Sequence, residues 1–259
     1  MQSLVYSIHY YPVKSLSFSN INKCTIKKKI GILNDRIFSF SKNLNIEKAK
    51  LIENLPNKRK LNNFLTLKNS PFLNKYKFFY EDNKLTLFKN NIKIISIHSE
   101  KKNEYKILCD KLSELEESLM QPIFLLRNKN FPFFDTTHSN NISNSISLIN
   151  INSILDLEQK IQHSIEFERF RSNFYIDGVD AWEERNWINK IIKINNISFK
   201  VQKHIPRCSA TNLKPNTDNS TINLPNALKK HYNHIDMGVY LTPLQDGEVN
   251  IGDCVFLDK

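Results

Sequence analysis

Two hydrophobic periods divide the chain. Over residues 1 to about 100, apolar and polar positions alternate in short runs bounded by turn residues, and "LVYSIHYYPV", "KCTIKKKIGI", "RIFSFSK" and "FLTLK" each predict a strand. "YKFFYEDNKLTLFKNNIKIISI" predicts a three-stranded meander with "EDNK" and "KNN" as its turns. This part reads as a small antiparallel barrel or sandwich. From Glu104 the period lengthens: Leu108, Leu112, Leu115 and Leu119 share one face of a helix that Pro122 ends. That helix is a natural hinge between two lobes, so the chain divides into residues 1–122 and 123–259.

Beyond the hinge, "FPFFDTTHSNNISNS" is a polar loop. "INSILDLEQKIQH" predicts a second helix, with Ser153 and Asp156 at capping-box spacing. "NFYIDG", "IIKINNISFKVQKHI", "GVYLTPL" and "GDCVFLDK" return to strand periodicity, interrupted by a short helix in "LPNALKKHYNH". The predicted fold class is mainly β, of the α+β kind: an N-terminal antiparallel barrel-like lobe, then a second β lobe with a few short helices.

Composition narrows the function classes. The 259 residues are 40% hydrophobic and 11% aromatic, enough for a folded core in each lobe. No apolar run approaches the roughly 20 residues that span a bilayer, and "MQSLVYSIHYYPVKS" lacks the plan of a secretion signal. Cys24, Cys109, Cys208 and Cys254 are widely spaced, without a CxxC pair, which suits a reducing cytoplasm. The net charge of +11 invites a nucleic-acid reading. Lysine here accompanies abundant Ile and Asn and only five glycines, as A+T-rich coding drift produces, and no aromatic stripe is interleaved with arginines. The expectation is therefore no nucleic-acid partner and no membrane.

No GxGxxG, P-loop, GxSxG or HExxH motif is present. His231 and His234 in "HYNH" lack the further ligands a metal needs and read as a polar helix end. In "PRCSATNLKP", Arg207 precedes Cys208, and a neighbouring cation favours the thiolate. A free cysteine is as readily an inert, buried residue, so the local chemistry leaves both readings of Cys208 open. Lys14 and Ser15 in "YPVKSL", Arg36 in "NDRIF", and Arg169, Arg171 and Asn173 in "ERFRSNF" together suit a phosphorylated ligand.

"YPVKSL", "NDRIF", "SLININSILDLE", "RFRSNFYIDG", "AWEERNW", "RCSATNLKP", "LPNAL", "HIDMGVYL" and "GDCVFL", in that order, resemble the MOSC-domain proteins preceded by their own N-terminal β-barrel domain. These are the molybdenum-cofactor sulfurase C-terminal-like proteins, including the amidoxime-reducing component type. The resemblance implies a C-terminal MOSC β-barrel that binds a molybdopterin-type molybdenum cofactor, with Cys208 as the metal ligand. It implies Lys14, Ser15, Arg36, Arg171 and Asn173 around the pterin and its phosphate, and Arg207 beside the thiolate and a bound anion. Asp135, Ser143 and Asn144, in a loop that matches the family weakly, would approach the same cofactor. The family vocabulary also brings pyridoxal phosphate binding with it.

The implied activity is a molybdenum-dependent reductase of small N-oxygenated molecules, fed electrons by a separate haem, flavin or iron-sulfur protein. The membrane anchor of the mitochondrial members is missing, which implies a bacterial, cytoplasmic protein. A non-catalytic carrier of cofactor or persulfide sulfur on Cys208 is the alternative. Two departures stand out: Phe18 near a usual glycine, and Asn195–Asn196 at a usual glycine turn, where asparagine tolerates the left-handed conformation.

Overall fold

The computed structural model describes residues 3–16, 19–119, 122–134 and 146–258. Its elements, in chain order, are β1 (Ser3–Tyr10), β2 (Ser19–Ile21), β3 (Lys23–Lys27), β4 (Gly31–Ile32), β5 (Phe38–Lys42), α1 (Ile46–Asn54), β6 (Tyr76–Glu81), β7 (Lys84–Lys89), β8 (Ile92–His98), α2 (Lys102–Leu115) and β9 (Ile123–Arg127). Then follow β10 (Ile146–Asn150), α3 (Ile151–Ile161), β11 (Phe174–Asp177), β12 (Ile191–Ile194), β13 (Ile197–Pro206), α4 (Leu224–Tyr232), β14 (Asp236–Pro243), β15 (Gly247–Asn250) and β16 (Cys254–Leu257).

Seven strands close a barrel in the order β1, β11, β10, β14, β13, β12, β16 and back to β1. Only β10 and β11 run parallel; the other barrel pairs are antiparallel. Alternation fills the interior with Val5, Ile146, Leu148, Phe174, Ile176, Phe199, Val201 and Val239. β10 is buried at every position because its outer face is covered as well. There Ile149 and Tyr175 meet Leu157 of α3 and Leu228 of α4.

Pairing crosses the boundary expected at residue 122. β1 completes the barrel of the second lobe, whereas β9 pairs with β5 in the first. The first lobe gathers two small sheets, β5–β9 and β6–β7–β8, around Phe38, Phe40, Tyr76, Phe78, Leu108 and Leu112, whereas the sheet of β15, β3 and β4 packs Cys24, Ile26, Ile32 and Val249 into the barrel core. Its meander forms as predicted, with Asp82–Asn83 and Asn90–Asn91 at positive φ in the turns. Among the described residues, no helix is long and apolar enough to cross a membrane.

Four local expectations are corrected. "FLTLK" is not a strand: residues 56–75 fold as three short 3₁₀ turns with links between them. Its alternation arises because two cores claim opposite sides, Phe64 packing with Phe133 and Leu65 and Leu67 with the first-lobe core. α1 went unpredicted because it buries only Ala49, Ile52 and Glu53, too little to make a stripe; Asn45 caps it by accepting from Lys48 N at 2.9 Å. α2 ends at Leu115, and Leu119 reaches the same core from the following turn.

Ser153 and Asp156 do not cap α3, since Asn150 does. Ser153 Oγ instead donates to the Glu184 carboxylate at 2.9 Å, and Asp156 accepts from Trp182 Nε1 and Tyr232 OH, both at 2.7 Å. Asn195 occupies its hairpin turn at φ 53°, the left-handed tolerance its residue type allows.

Candidate functional site

A cavity of about 430 Å³ opens where the lobes meet, in the size range of small-molecule sites. Lys14, Ser15, Arg36, Arg171, Asn173 and Cys208 all line it, drawn from positions nearly 200 residues apart in sequence. Each gets there by a local backbone device. After β1, Pro12 and a parallel bridge from Val13 to Phe38 lay the chain beside β5, and Lys14 N donates to Phe38 O at 2.8 Å. Ser15 at φ 59° then turns the chain away, and Leu16 N closes the turn on Val13 O.

Arg36 and Arg171 each sit at φ 54°, so three non-glycine residues in the left-handed region line one cavity. Such backbone costs about 1 kcal/mol or more per residue and persists where surrounding contacts over-determine it. Those contacts are present. Arg36 N donates to Tyr11 O, Arg36 O accepts from Phe133 N at 2.7 Å, and Arg171 N closes the 3₁₀ turn Phe167–Phe170 on Glu168 O.

The two guanidinium groups lie against the ring of Tyr11, at 4.6 Å for Arg36 and 4.5 Å for Arg171. Tyr11 is fixed by its hydroxyl, which donates to Ser172 O, and by its N–H, which donates to Asp35 Oδ1 at 2.7 Å. Asp35 is fully buried. Its other oxygen accepts from Arg36 Nη1 and from Asn173 Nδ2. Asn173 Oδ1 in turn accepts from Ser147 N and Oγ, and from Arg36 Nη1 at 3.3 Å. Arg171 Nη2 donates to Leu16 O at 2.7 Å.

Burial moves the local protonation equilibria. It raises the Asp35 carboxyl, although the Arg36 guanidinium and three hydrogen bonds oppose the shift. Burial and the charge of Arg36 pull Arg171 down to about 10, so it stays cationic at neutral pH. Among the described lining residues there are four cations, Lys14, Arg36, Lys68 and Arg171, and no carboxylate. The described lining therefore carries an excess of positive charge.

Cys208 enters from the other side. β13 ends at Pro206, and Cys208, extended at φ −122° and ψ 176°, precedes the 3₁₀ turn Ser209–Asn212. Its carbonyl accepts from Thr211 N and Oγ1, and its side chain is exposed. Adjacent extended residues face opposite ways, and Arg207 does not line the cavity. Its Nε donates to Met237 O at 3.0 Å and its Nη1 to Phe170 O at 2.8 Å, behind the loop that carries Cys208. Burial lowers the Arg207 pKa from its ordinary value. Arg169 reinforces the same loop by donating to Asn212 O and Thr221 Oγ1, both at 2.8 Å.

Ser143, Asn144, Asp135 and Phe18 lie outside the described residues. His234 stacks on Tyr232 at 5.9 Å, next to Trp182. Among the described residues no group of three or more His, Cys, Asp and Glu gathers. The described lining thus offers a metal one soft sulfur donor, that of Cys208. The sequence reading missed Tyr11, Asp35, Ser147 and Tyr240. Tyr11 and Asp35 stand inside the quoted "YPVKSL" and "NDRIF", and Ser147 and Tyr240 inside "SLININSILDLE" and "HIDMGVYL", but none of the four was singled out. The 61–69 segment, which supplies the opposite wall through Asn62, Thr66 and Lys68, carried no signal of a site.

A family model described as MOSC domain matches residues 135–256. The chain carries a MOSC domain. The match covers β10 through most of β16, hence most of the barrel and Cys208, Arg171 and Asn173. Outside the MOSC domain, β1, Lys14 and Arg36 complete the barrel and the cavity. The chain is 28% identical over 123 residues to mitochondrial amidoxime reducing component 2 of Rattus norvegicus, covering 43% of this chain and 36% of that protein. With the protein of the same name from Homo sapiens it shares 27% over 116 residues, 40% of this chain and 34% of the relative. The matched part thus spans about a third of the length of these relatives.

Among solved structures, YiiM from Geobacillus stearothermophilus aligns with a TM-score of 0.38 at 17% identity, covering 46% of this chain and 56% of that one. The YUAD protein from Bacillus subtilis aligns with a TM-score of 0.46 at 10% identity, over 98% and 94% of the two chains.

Proposed function

We propose that the protein is a molybdenum-cofactor-dependent reductase of small N-hydroxylated molecules, with Cys208 as the metal ligand. One observation carries the reading: an exposed thiol shares a cavity with Lys14, Arg36 and Arg171, and no carboxylate lines it among the described residues. A pterin cofactor with a phosphate fits that donor set, the thiolate meeting the metal and the cations meeting the phosphate. The name of the amidoxime-reducing relatives supports the substrate class.

When bound, the cofactor supplies two-electron chemistry, by which a substrate N–O bond breaks, two protons are taken up and water leaves. The chain's own residues bind and orient. Arg36 and Arg171, held against the Tyr11 ring, present N–H donors to the cavity, and Asn173 holds Arg36 through its amide oxygen. Arg207 positions the Cys208 loop from behind rather than touching substrate. Electrons enter from a separate haem, flavin or iron-sulfur protein. A division at residue 122 into an N-terminal domain and a cofactor-binding domain belongs to the same proposal, with β1 lent to the second. So does a cytoplasmic location, where an exposed thiol stays reduced.

The test is purification with molybdenum analysis, then reduction of an aromatic amidoxime by dithionite-reduced viologen. Stoichiometric molybdenum and amidine formation support the reading. Metal-free protein that accumulates persulfide on Cys208 replaces it with the sulfur-carrier reading.

A further inference from the structure

The basic half of the cavity depends on an arginine that does not line it. We propose that Arg59 is a positioning residue that sets Lys14 and Arg36 by stapling the C-terminal end of α1 to residues 131–134. The proposal rests on the functional reading only in what the cavity holds; the mechanical link stands on its own contacts.

Arg59 is 6% exposed and sits outside the matched MOSC domain. Its guanidinium makes four hydrogen bonds, all to main-chain carbonyls. Nε donates to Ile52 O at 2.9 Å and Nη2 to Glu53 O at 3.1 Å, both in the last turn of α1, whose carbonyls have no partner within the helix. Nη1 donates to Phe131 O at 2.8 Å and to Pro132 O at 3.0 Å. The same plane lies 4.0 Å from the centre of the Phe133 ring. Burial lowers Arg59 to about 10, opposed by Glu53, so the charge persists at neutral pH. A planar fork of five donors can bridge the carbonyls of a helix end and those of residues 131–132 and stack on a ring at once.

What Arg59 fixes is the wall against which the basic residues rest. Phe133 N donates to Arg36 O at 2.7 Å, and Phe134 O accepts from Lys14 Nζ at 3.1 Å. Arg36 lies 5.9 Å from the Phe134 ring. Phe133 packs edge-on to Phe64 at 5.7 Å, and Lys14 Nζ stands 6.0 Å from Phe64. A continuous path of contacts thus runs from Arg59 through Phe133 and Phe64 to Lys14, and through Phe133 to the main chain of Arg36. Among these, Lys14 is 6% exposed.

Lys14 supplies the readout. Brief acetylation of the purified full chain with acetic anhydride, followed by peptide mass spectrometry, reports the rate at Lys14 against exposed Lys106 and Lys229 in the same sample. Arg59→Met, which keeps bulk and removes every donor, is expected to speed Lys14 acetylation by about tenfold while the reference lysines keep their rates. Arg59→Lys is expected to fall between, because one ammonium replaces part of the fork. Lys14 rates equal to wild type in folded Arg59→Met overturn the proposal. If Arg59→Met does not fold, Arg59→Lys is read alone, and a wild-type Lys14 rate in it likewise overturns the role. Wild-type molybdenum content is measured on a separate aliquot. A chain that never holds metal refutes the functional reading and leaves the labelling result intact.

Discussion

Arg36 and Arg171 flank one tyrosine ring, with a buried carboxylate behind the first and a main-chain carbonyl holding the second. Neither guanidinium is free to swing, so each contributes a directed, charge-assisted donor rather than diffuse charge. A hydrogen bond to a charged group is worth about 1.5–3 kcal/mol. Arg36→Gln or Arg171→Gln is therefore predicted to weaken cofactor retention by roughly ten- to a hundredfold. Molybdenum per chain after gel filtration checks this, with circular dichroism to confirm the fold, and unchanged content in both variants contradicts the anion-clamp assignment. The sequence named both arginines but not why they act together. Tyr11 and Asp35 meet them through side-chain contacts made from backbone that is at positive φ in both arginines, which leaves no mark in a sequence where arginine fills the left-handed position.

At the scale of elements, the contact between α3 and the "AWEERNW" segment contains a protonation equilibrium. Glu184 is fully buried, and burial pushes its carboxyl from 4.5 up to about 7. The folded chain holds this proton more tightly than the unfolded one. Its stabilisation is complete below about 4.5 and is lost as pH rises through 7, a change of roughly 3 kcal/mol. Glu184→Gln keeps a partner for Ser153 and is predicted to be more stable than wild type at pH 8, with a smaller fall between pH 4.5 and 8. Thermal melts across that range check it, and parallel curves for the two proteins contradict it.

β14 carries a second constraint. Gly238 at φ 78° leaves no room for a Cβ, which would stand 2.3 Å from Leu148 O and 2.5 Å from Ile149 Cγ1. Gly238→Ala is predicted to cost about 3 kcal/mol and to lower the melting temperature by about 10 °C. An unchanged melting temperature contradicts the close approach. Period-two alternation revealed the meander and every barrel strand but β10, which is buried at all five positions and so shows no alternation. It misread "FLTLK", whose alternate residues serve two different cores, and it missed α1, whose buried face is three residues.

Across the whole molecule, the segment that carries Cys208 is clamped between the lobes. Asn74 Nδ2 donates to Lys214 O at 2.9 Å and Thr217 O at 2.7 Å, Lys75 pairs with Asp218, and Leu213 packs into the first-lobe core. Asn74→Ala is predicted to loosen that segment and to speed thiol modification of Cys208 severalfold, by removing about 1 kcal/mol from each lost bond. Maleimide labelling read by mass spectrometry checks it, and an unchanged rate contradicts the clamp. The motifs made the list of cavity residues legible, but not their meeting. That depends on β1 crossing into the barrel of the second lobe and β9 returning to the first, pairings that no local period encodes.

The central claim is that Cys208 holds a molybdenum cofactor in this cavity. Elemental analysis of wild type and Cys208→Ser, purified side by side from cells that make the cofactor, tests it most directly. Stoichiometric molybdenum in wild type and almost none in Cys208→Ser, with matching thermal melts, is the predicted result. Equal molybdenum in the two proteins, or none in either, contradicts it.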